Sequence, residues 1–122
     1  DVALQPDVTA YASPLKLVEY MAAGLAIVAP DRPNIREVVQ DGASALLVAP
    51  GDDAAFARAI RRLAGDPDLR QQLGTAAAAA VLAEGRTWDA NAARVIDLAR
   101  KVQRDRLDPT ALGPAVPAKP AE

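Results

Sequence analysis

Ser13-Pro-Leu-Lys-Leu-Val-Glu-Tyr-Met-Ala-Ala-Gly24, followed by Leu25-Ala-Ile-Val-Ala-Pro30, is the stretch that decides how this chain is read. Ser13 can cap a helix, and Pro14 suits its first position, where a missing N–H is not required. The helix runs to about Ala23, and Gly24 supplies the stop, because a residue without Cβ enters the left-handed backbone freely. At roughly 100° per residue, Leu17, Val18, Met21 and Ala22 share a broad apolar arc. Lys16, Glu19 and Tyr20 fall opposite, with Lys16 and Glu19 as i,i+3 neighbours. Ala26 to Ala29 then run without polar alternation, as in a strand buried on both faces, until Pro30 ends it. A helix N-terminus flanked by charged side chains is a natural place to hold a phosphate-bearing ligand. This segment is therefore the candidate binding site.

The pattern repeats on either side. Val2 to Gln5 is a short apolar run that stops at Pro6-Asp7, and Ala45 to Ala49 is another, closed by Pro50. Between them lie a loop, Asp31-Arg32-Pro33-Asn34, a helical turn from Ile35 to Gln40 and the turn Asp41-Gly42. Short β runs separated by helical stretches predict a parallel sheet with crossover helices. Beyond Gly51 the chain turns helical. Asp52-Asp53 start a helix with Phe56, Ile60 and Leu63 at helical spacing. Asp66-Pro67 restarts another, with Leu69, Leu73, Ala77, Ala80 and Val81, ending near Gly85. Thr87 caps a last helix that begins at Trp88 and presents Ala92, Val95, Ile96, Ala99 and Val102. Trp88 is expected to anchor that helix in the core. From Asp108 onward four prolines stand among alanines, and residues 108–122 read as a disordered tail. The domain portion is thus 1–107.

Composition excludes several functions. The 122 residues are 51% hydrophobic with a formal net charge of −2, which fits one soluble globular domain or part of one and offers nucleic acid no electrostatic attraction. Arg58, Arg61 and Arg62 read as a solvated helix face. Cysteine and histidine are both absent, which removes disulfides, thiolate metal sites, serine-type triads and the commonest zinc ligand. No apolar run approaches the roughly 20 residues that span a bilayer, and the sequence shows no signal-peptide pattern, so the expected compartment is the cytoplasm. The chain opens at Asp1 directly on strand-like sequence, which predicts that it is the C-terminal piece of a longer protein.

The order of these signals resembles the C-terminal domain of GT-B glycosyltransferases, specifically family 4. Ser13 to Gly24 and the strand Ala26-Ile-Val-Ala29 carry the likeness first. Ile35-Arg-Glu-Val-Val-Gln-Asp-Gly42, Leu46-Leu-Val-Ala-Pro-Gly-Asp52, Asp66-Pro-Asp-Leu-Arg70 and Thr87-Trp88-Asp89 follow in sequence, so the match runs from Asp1 to about Arg104. It implies an α/β fold, part of a Rossmann-like unit with a helical C-terminus, that binds the nucleotide-sugar donor. The family pattern has two glutamates, and Glu19 matches the second, which usually binds the ribose hydroxyls. The first, which usually contacts the donor sugar, would fall at Tyr11. The diphosphate would sit near Ser13, Leu15 and Lys16, where the helix end carries about half a positive charge. An ionised carboxylate can accept from both hydroxyls of a ribose. The resemblance further implies glycosyl transfer with retention, no required metal or cofactor and an N-terminal acceptor domain absent from this sequence. It assigns no catalytic base and leaves peripheral membrane association open.

Each of these residues also has a plainer reading. Glu19 and Lys16 could pair on a solvated face, Ser13 could be only a cap, and Tyr11 could pack the loop. Glu37, in the Ile35–Gly42 phrase, reads as a structural hydrogen-bonder. Two other functions stay open: another GT-B enzyme, such as a nucleotide-sugar epimerase, or a non-catalytic α/β scaffold. If the chain is a piece, the Val2–Gln5 strand has an unpaired side, which favours association, and the piece alone is expected to lack transferase activity.

Overall fold

The computed structural model describes residues 1–7, 9 and 11–107, and the 108–122 tail expectation lies outside them. Two compact units divide the chain, Asp1–Arg86 and Thr87 onward. The first unit runs β1 (Val2–Leu4), α1 (Leu15–Ala22), β2 (Ala26–Pro30), α2 (Pro33–Arg36), β3 (Leu46–Val48), α3 (Asp53–Gly65) and α4 (Pro67–Ala83). The three strands are parallel in the order β1-β2-β3, with Ala3 opposite Ile27 and Val28 opposite Leu46. The α/β architecture expected from the sequence is what forms.

β2 is central, and all five of its residues are buried. Successive side chains point to opposite faces of the sheet, and two cores result. Ile27 and Ala29 pack with Leu17, Met21, Ile35 and Ala77 on one face, while Ala26 and Val28 pack with Leu46, Leu63 and Leu73 on the other. α4 contributes to both faces. Pro30 is tolerated as the last residue of a central strand because the next N–H, that of Asp31, takes up the ladder with Val48 O at 2.7 Å.

α1 ends as its glycine predicts. Gly24 has φ +68°, and Leu25 N donates to Tyr20 O at 3.1 Å, the six-to-one bond of a helix stop built on a left-handed residue. A second glycine presses on the first. A Cβ at position 74, in the middle of α4, would fall 2.1 Å from the Gly24 carbonyl oxygen, so only glycine lets α4 cross there. Nothing local in the sequence marks that crossing.

Several local expectations need correction. α1 begins at Leu15, with Pro14 rather than Ser13 at the capping position and no side-chain cap. A proline there disfavours helical backbone for the residue before it, and Ser13 meets the first helical N–H, that of Leu15, through its main-chain carbonyl at 3.0 Å and not through its hydroxyl. The buried stripe of α1 is Leu17 and Met21 flanked by Val18 and Tyr20, so Tyr20 faces the core whereas Ala22 is exposed. The turn placed at Ile35–Gln40 is helical only over Pro33–Arg36, because Pro33 has the right φ for a first helical residue and starts the turn early. β3 is one residue shorter at each end than the run from Ala45 to Ala49.

Asp52 and Asp66 cap α3 and α4, accepting from Ala55 N at 2.8 Å and Leu69 N at 2.9 Å. In the second unit α5 (Trp88–Leu107) is capped by Thr87, whose hydroxyl oxygen accepts from Ala90 N at 3.2 Å. Trp88 is 89% exposed and so does not occupy a core. As the first residue of α5 it has, among the described residues, no second element of its own unit to pack against.

Candidate functional site

β1, β2 and β3 all deliver their carboxyl ends to one edge, the edge at which open parallel sheets bind ligands. The turn before α1, the β2–α2 turn and the start of α3 lie there. α1 differs from α3 and α4 in having no capping side chain and no acidic residue in its first turn. Its first N–H groups are thus not taken by the protein's own carboxylate, and the positive end of its dipole is not cancelled.

The sequence-selected residues gather at this helix end. Tyr11 is 90% exposed and Leu15 72% exposed, and Ser13, Lys16 and Glu19 are exposed as well. Leu15, Glu19 and Ala22 share the solvent face of α1, which leaves the Glu19 carboxylate open one turn into the helix. Among the described residues Lys16 and Glu19 form no ion pair with each other, so the plainer pairing does not occur. A cavity of about 470 Å³ opens beside the helix start, lined in part by Tyr11, Ser13, Pro14, Asn34 and Arg86.

A smaller cavity of about 220 Å³ lies farther along the same edge, between Pro6, Pro30, Pro50 and Phe56, with Asp52 and Asp53 at its rim. Asp7 lines it as well, and three carboxylates make it the wrong sign for a diphosphate. Among the described residues no acidic side chains cluster into a metal-binding group.

The turn leading into α1 is held by residues that periodicity does not single out. Arg32 forks onto Asp7, with Nε to Oδ1 at 2.6 Å and Nη2 to Oδ2 at 2.9 Å. Asn34 is 7% exposed and donates from Nδ2 to Ala12 O at 2.8 Å and to Thr9 O at 3.3 Å. Behind them Arg36 pairs with Asp31 through two hydrogen bonds. The Arg36 guanidinium holds the Asp31 carboxyl below its ordinary value, mainly by hydrogen bonding and against a smaller desolvation effect. Asp7 likewise makes the Arg32 guanidinium harder to deprotonate. Glu37 is a hydrogen-bond partner through its main chain, where its carbonyl accepts from Arg86 Nη2 at 2.8 Å. In the sequence Asp31 to Asn34 shows only as a turn. The signal available was an arginine and an asparagine flanking a proline just past a buried strand.

Comparison with known proteins supports the resemblance. The family model described as "Glycosyl transferases group 1" matches residues 1–66, more than half of the chain. The chain belongs to this glycosyltransferase family. Its relatives are long. A D-inositol 3-phosphate glycosyltransferase of Streptomyces scabiei is 35% identical over 91 residues, covering 75% of this chain and 20% of that protein. A phosphatidyl-myo-inositol mannosyltransferase of Mycobacterium leprae is 40% identical over 81 residues, covering 66% of this chain and 22% of that one. The putative glycosyltransferase EpsD of Bacillus subtilis is 40% identical over 60 residues, 49% of this chain and 16% of its own length. Among solved structures, sucrose-phosphate synthase from Thermosynechococcus elongatus superposes with a TM-score of 0.75 at 30% identity, covering 84% of this chain and 25% of the other. The chain spans about a fifth of the length of these curated relatives. Its fold is a partial GT-B unit of the family 4 type, and none of its described helices is long and apolar enough to cross a membrane.

Proposed function

We propose that this chain supplies the donor-binding part of a retaining glycosyltransferase, holding the nucleotide diphosphate of a sugar donor at the start of α1. The observation that carries the reading is the uncapped α1 N-terminus at the carboxyl edge of the sheet, with the Glu19 carboxylate exposed one turn beyond it. A helix end with no carboxylate against its dipole would bind the diphosphate and stabilise it as it leaves, although Leu15 N and Leu17 N also donate to the Ser13 and Pro14 carbonyls. Lys16 would add a point charge beside it. Glu19 would accept hydrogen bonds from the ribose hydroxyls and so select a nucleotide over free phosphate. Tyr11 stands at the sugar side of the site as an exposed ring in place of a carboxylate. The whole protein would pass the glycosyl group to an acceptor held by a further domain, in the cytoplasm and with no resident cofactor.

Calorimetric titration with UDP, GDP and ADP and their sugars tests the reading. Binding of at least one of them is expected. Glu19→Ala should abolish or greatly weaken it, whereas Glu37→Ala should not, because alanine keeps the main-chain carbonyl through which Glu37 acts. Equal losses in both variants, or no binding by the wild type, would refute the assignment. The 122 residues alone should bind without turnover, and measurable transfer by them would overturn the division of labour.

A further inference from the structure

We infer that Arg32 and Asn34, on the β2–α2 turn, are positioning residues that clip the loop before α1 into its binding shape; the inference rests on the donor-site reading. The geometry is specific. Ala12 N donates to Thr9 O at 3.1 Å, closing a turn, and the Asn34 amide donates to the carbonyls of those same two residues. Arg32 holds the start of the loop through its fork onto Asp7. The partners are 22 to 25 residues apart in sequence, so these contacts join two separate turns of the sheet's carboxyl edge.

Core packing does not account for the clip. The turn it orders is exposed, with Tyr11 at its tip 90% accessible, so ordering it buries little apolar surface. Asn34 meanwhile is almost wholly buried, and its Oδ1 has no hydrogen-bond partner among the described residues. Turning the amide over would satisfy neither carbonyl, since oxygen would then face oxygen. The fold thus leaves a buried acceptor unpaired in order to fix an exposed turn. Such an arrangement is useful where the turn meets a ligand, because a loop ordered in advance loses less freedom on binding. Pro33 supports it by keeping Arg32 extended, with φ −125° and ψ 154°.

The test uses the protein's full natural chain. Asn34→Asp keeps the side chain's shape and removes both donors. Arg32→Lys keeps the charge and removes the fork. Val39→Ala, a change in the buried core that touches none of these hydrogen bonds, serves as the stability-matched control. Titration with UDP, GDP and ADP, amide exchange at Ala12 and thermal melting are measured on each. Asn34→Asp should weaken nucleotide binding about five- to tenfold, the usual scale for lost hydrogen bonds, and should speed exchange at Ala12. Arg32→Lys should do the same to a smaller degree. Val39→Ala should lower the melting temperature while changing neither affinity nor Ala12 exchange. Wild-type exchange at Ala12 in Asn34→Asp, or an equal affinity loss in Val39→Ala, would overturn the inference. A wild type that binds no nucleotide would instead sink the donor reading, and Ala12 exchange then decides the clip by itself.

Discussion

The N-termini of α1 and α3 both follow strands that end at one edge of the sheet, yet they are chemically opposite. α3 opens with Asp52 as cap and Asp53 in its first turn, so its dipole is answered by the protein's own carboxylates. α1 opens with Pro14 and carries no acid before Glu19. Two helices of one fold therefore divide two tasks. The capped one is closed by a side chain and contributes stability, whereas the uncapped one forgoes about 1 kcal/mol of side-chain capping, and its Leu15 and Leu17 N–H groups meet only the Ser13 and Pro14 carbonyls. The contrast is with α3 and α4, which have a capping aspartate, whereas the four-residue α2 has no side-chain cap either.

This contrast can be broken from either side. The largest effect is expected from Glu19→Ala, since hydrogen bonds to a charged group contribute about 1.5–3 kcal/mol. Nucleotide affinity should fall roughly tenfold to a hundredfold with little change in melting temperature. A smaller change should follow Pro14→Asp, which makes α1 resemble α3. A carboxylate at the capping position would compete with the diphosphate for the same N–H groups, and affinity measured by calorimetry should drop about fivefold, on the scale of a helix-end charge interaction. Asp52→Ala attacks the other side. It should destabilise the fold by about 1 kcal/mol in chemical denaturation and leave nucleotide binding unchanged. Any loss of binding there would mean that the two helix ends are not independent.

The smallest effect concerns acid. The Asp31 carboxyl titrates below its ordinary value because Arg36 stabilises its charged form. A lowered folded-state value means that the unfolded chain takes up the proton first. The pair's contribution is therefore fully present above the ordinary carboxylate range and is lost as pH falls through that range to the lower folded-state value. Asp31→Asn should remove this pH dependence, and only weakly, since the pair is exposed and screened. Denaturant midpoints measured from pH 6 down to pH 3 would show it.

Much of the fold was legible because its signals are local. β2 was readable as an unbroken apolar run, the α1 stop as Gly24, and the α3 and α4 starts as aspartates before helical periods. The candidate site was legible in outline as a helix start, since Leu15, Lys16 and Glu19 sit at helical spacing. The clip around the loop was not, because Asn34 and Arg32 act on groups more than twenty residues away, two of them main-chain carbonyls that leave no side-chain pattern. Ser13 misled for a different reason. Serine and proline are both good near a helix start, and composition alone does not say which of them takes the last position before it. Tyr20 misled because an aromatic ring with a polar tip can lie on either side of a helix, and here the core takes the ring.

The contact between Gly74 and Gly24 bears on more than packing. It pins the far end of α1 against the backbone of α4, with no side chain available to yield. α1 is eight residues long, so it acts as a lever of about 12 Å hinged at that point. A tilt of about 5° would carry its free end through roughly 1 Å, the scale on which misplacement of reacting groups costs rate. Two residues without side chains, one at the tail of α1 and one in mid-helix of α4, thus set how steadily the helix can aim.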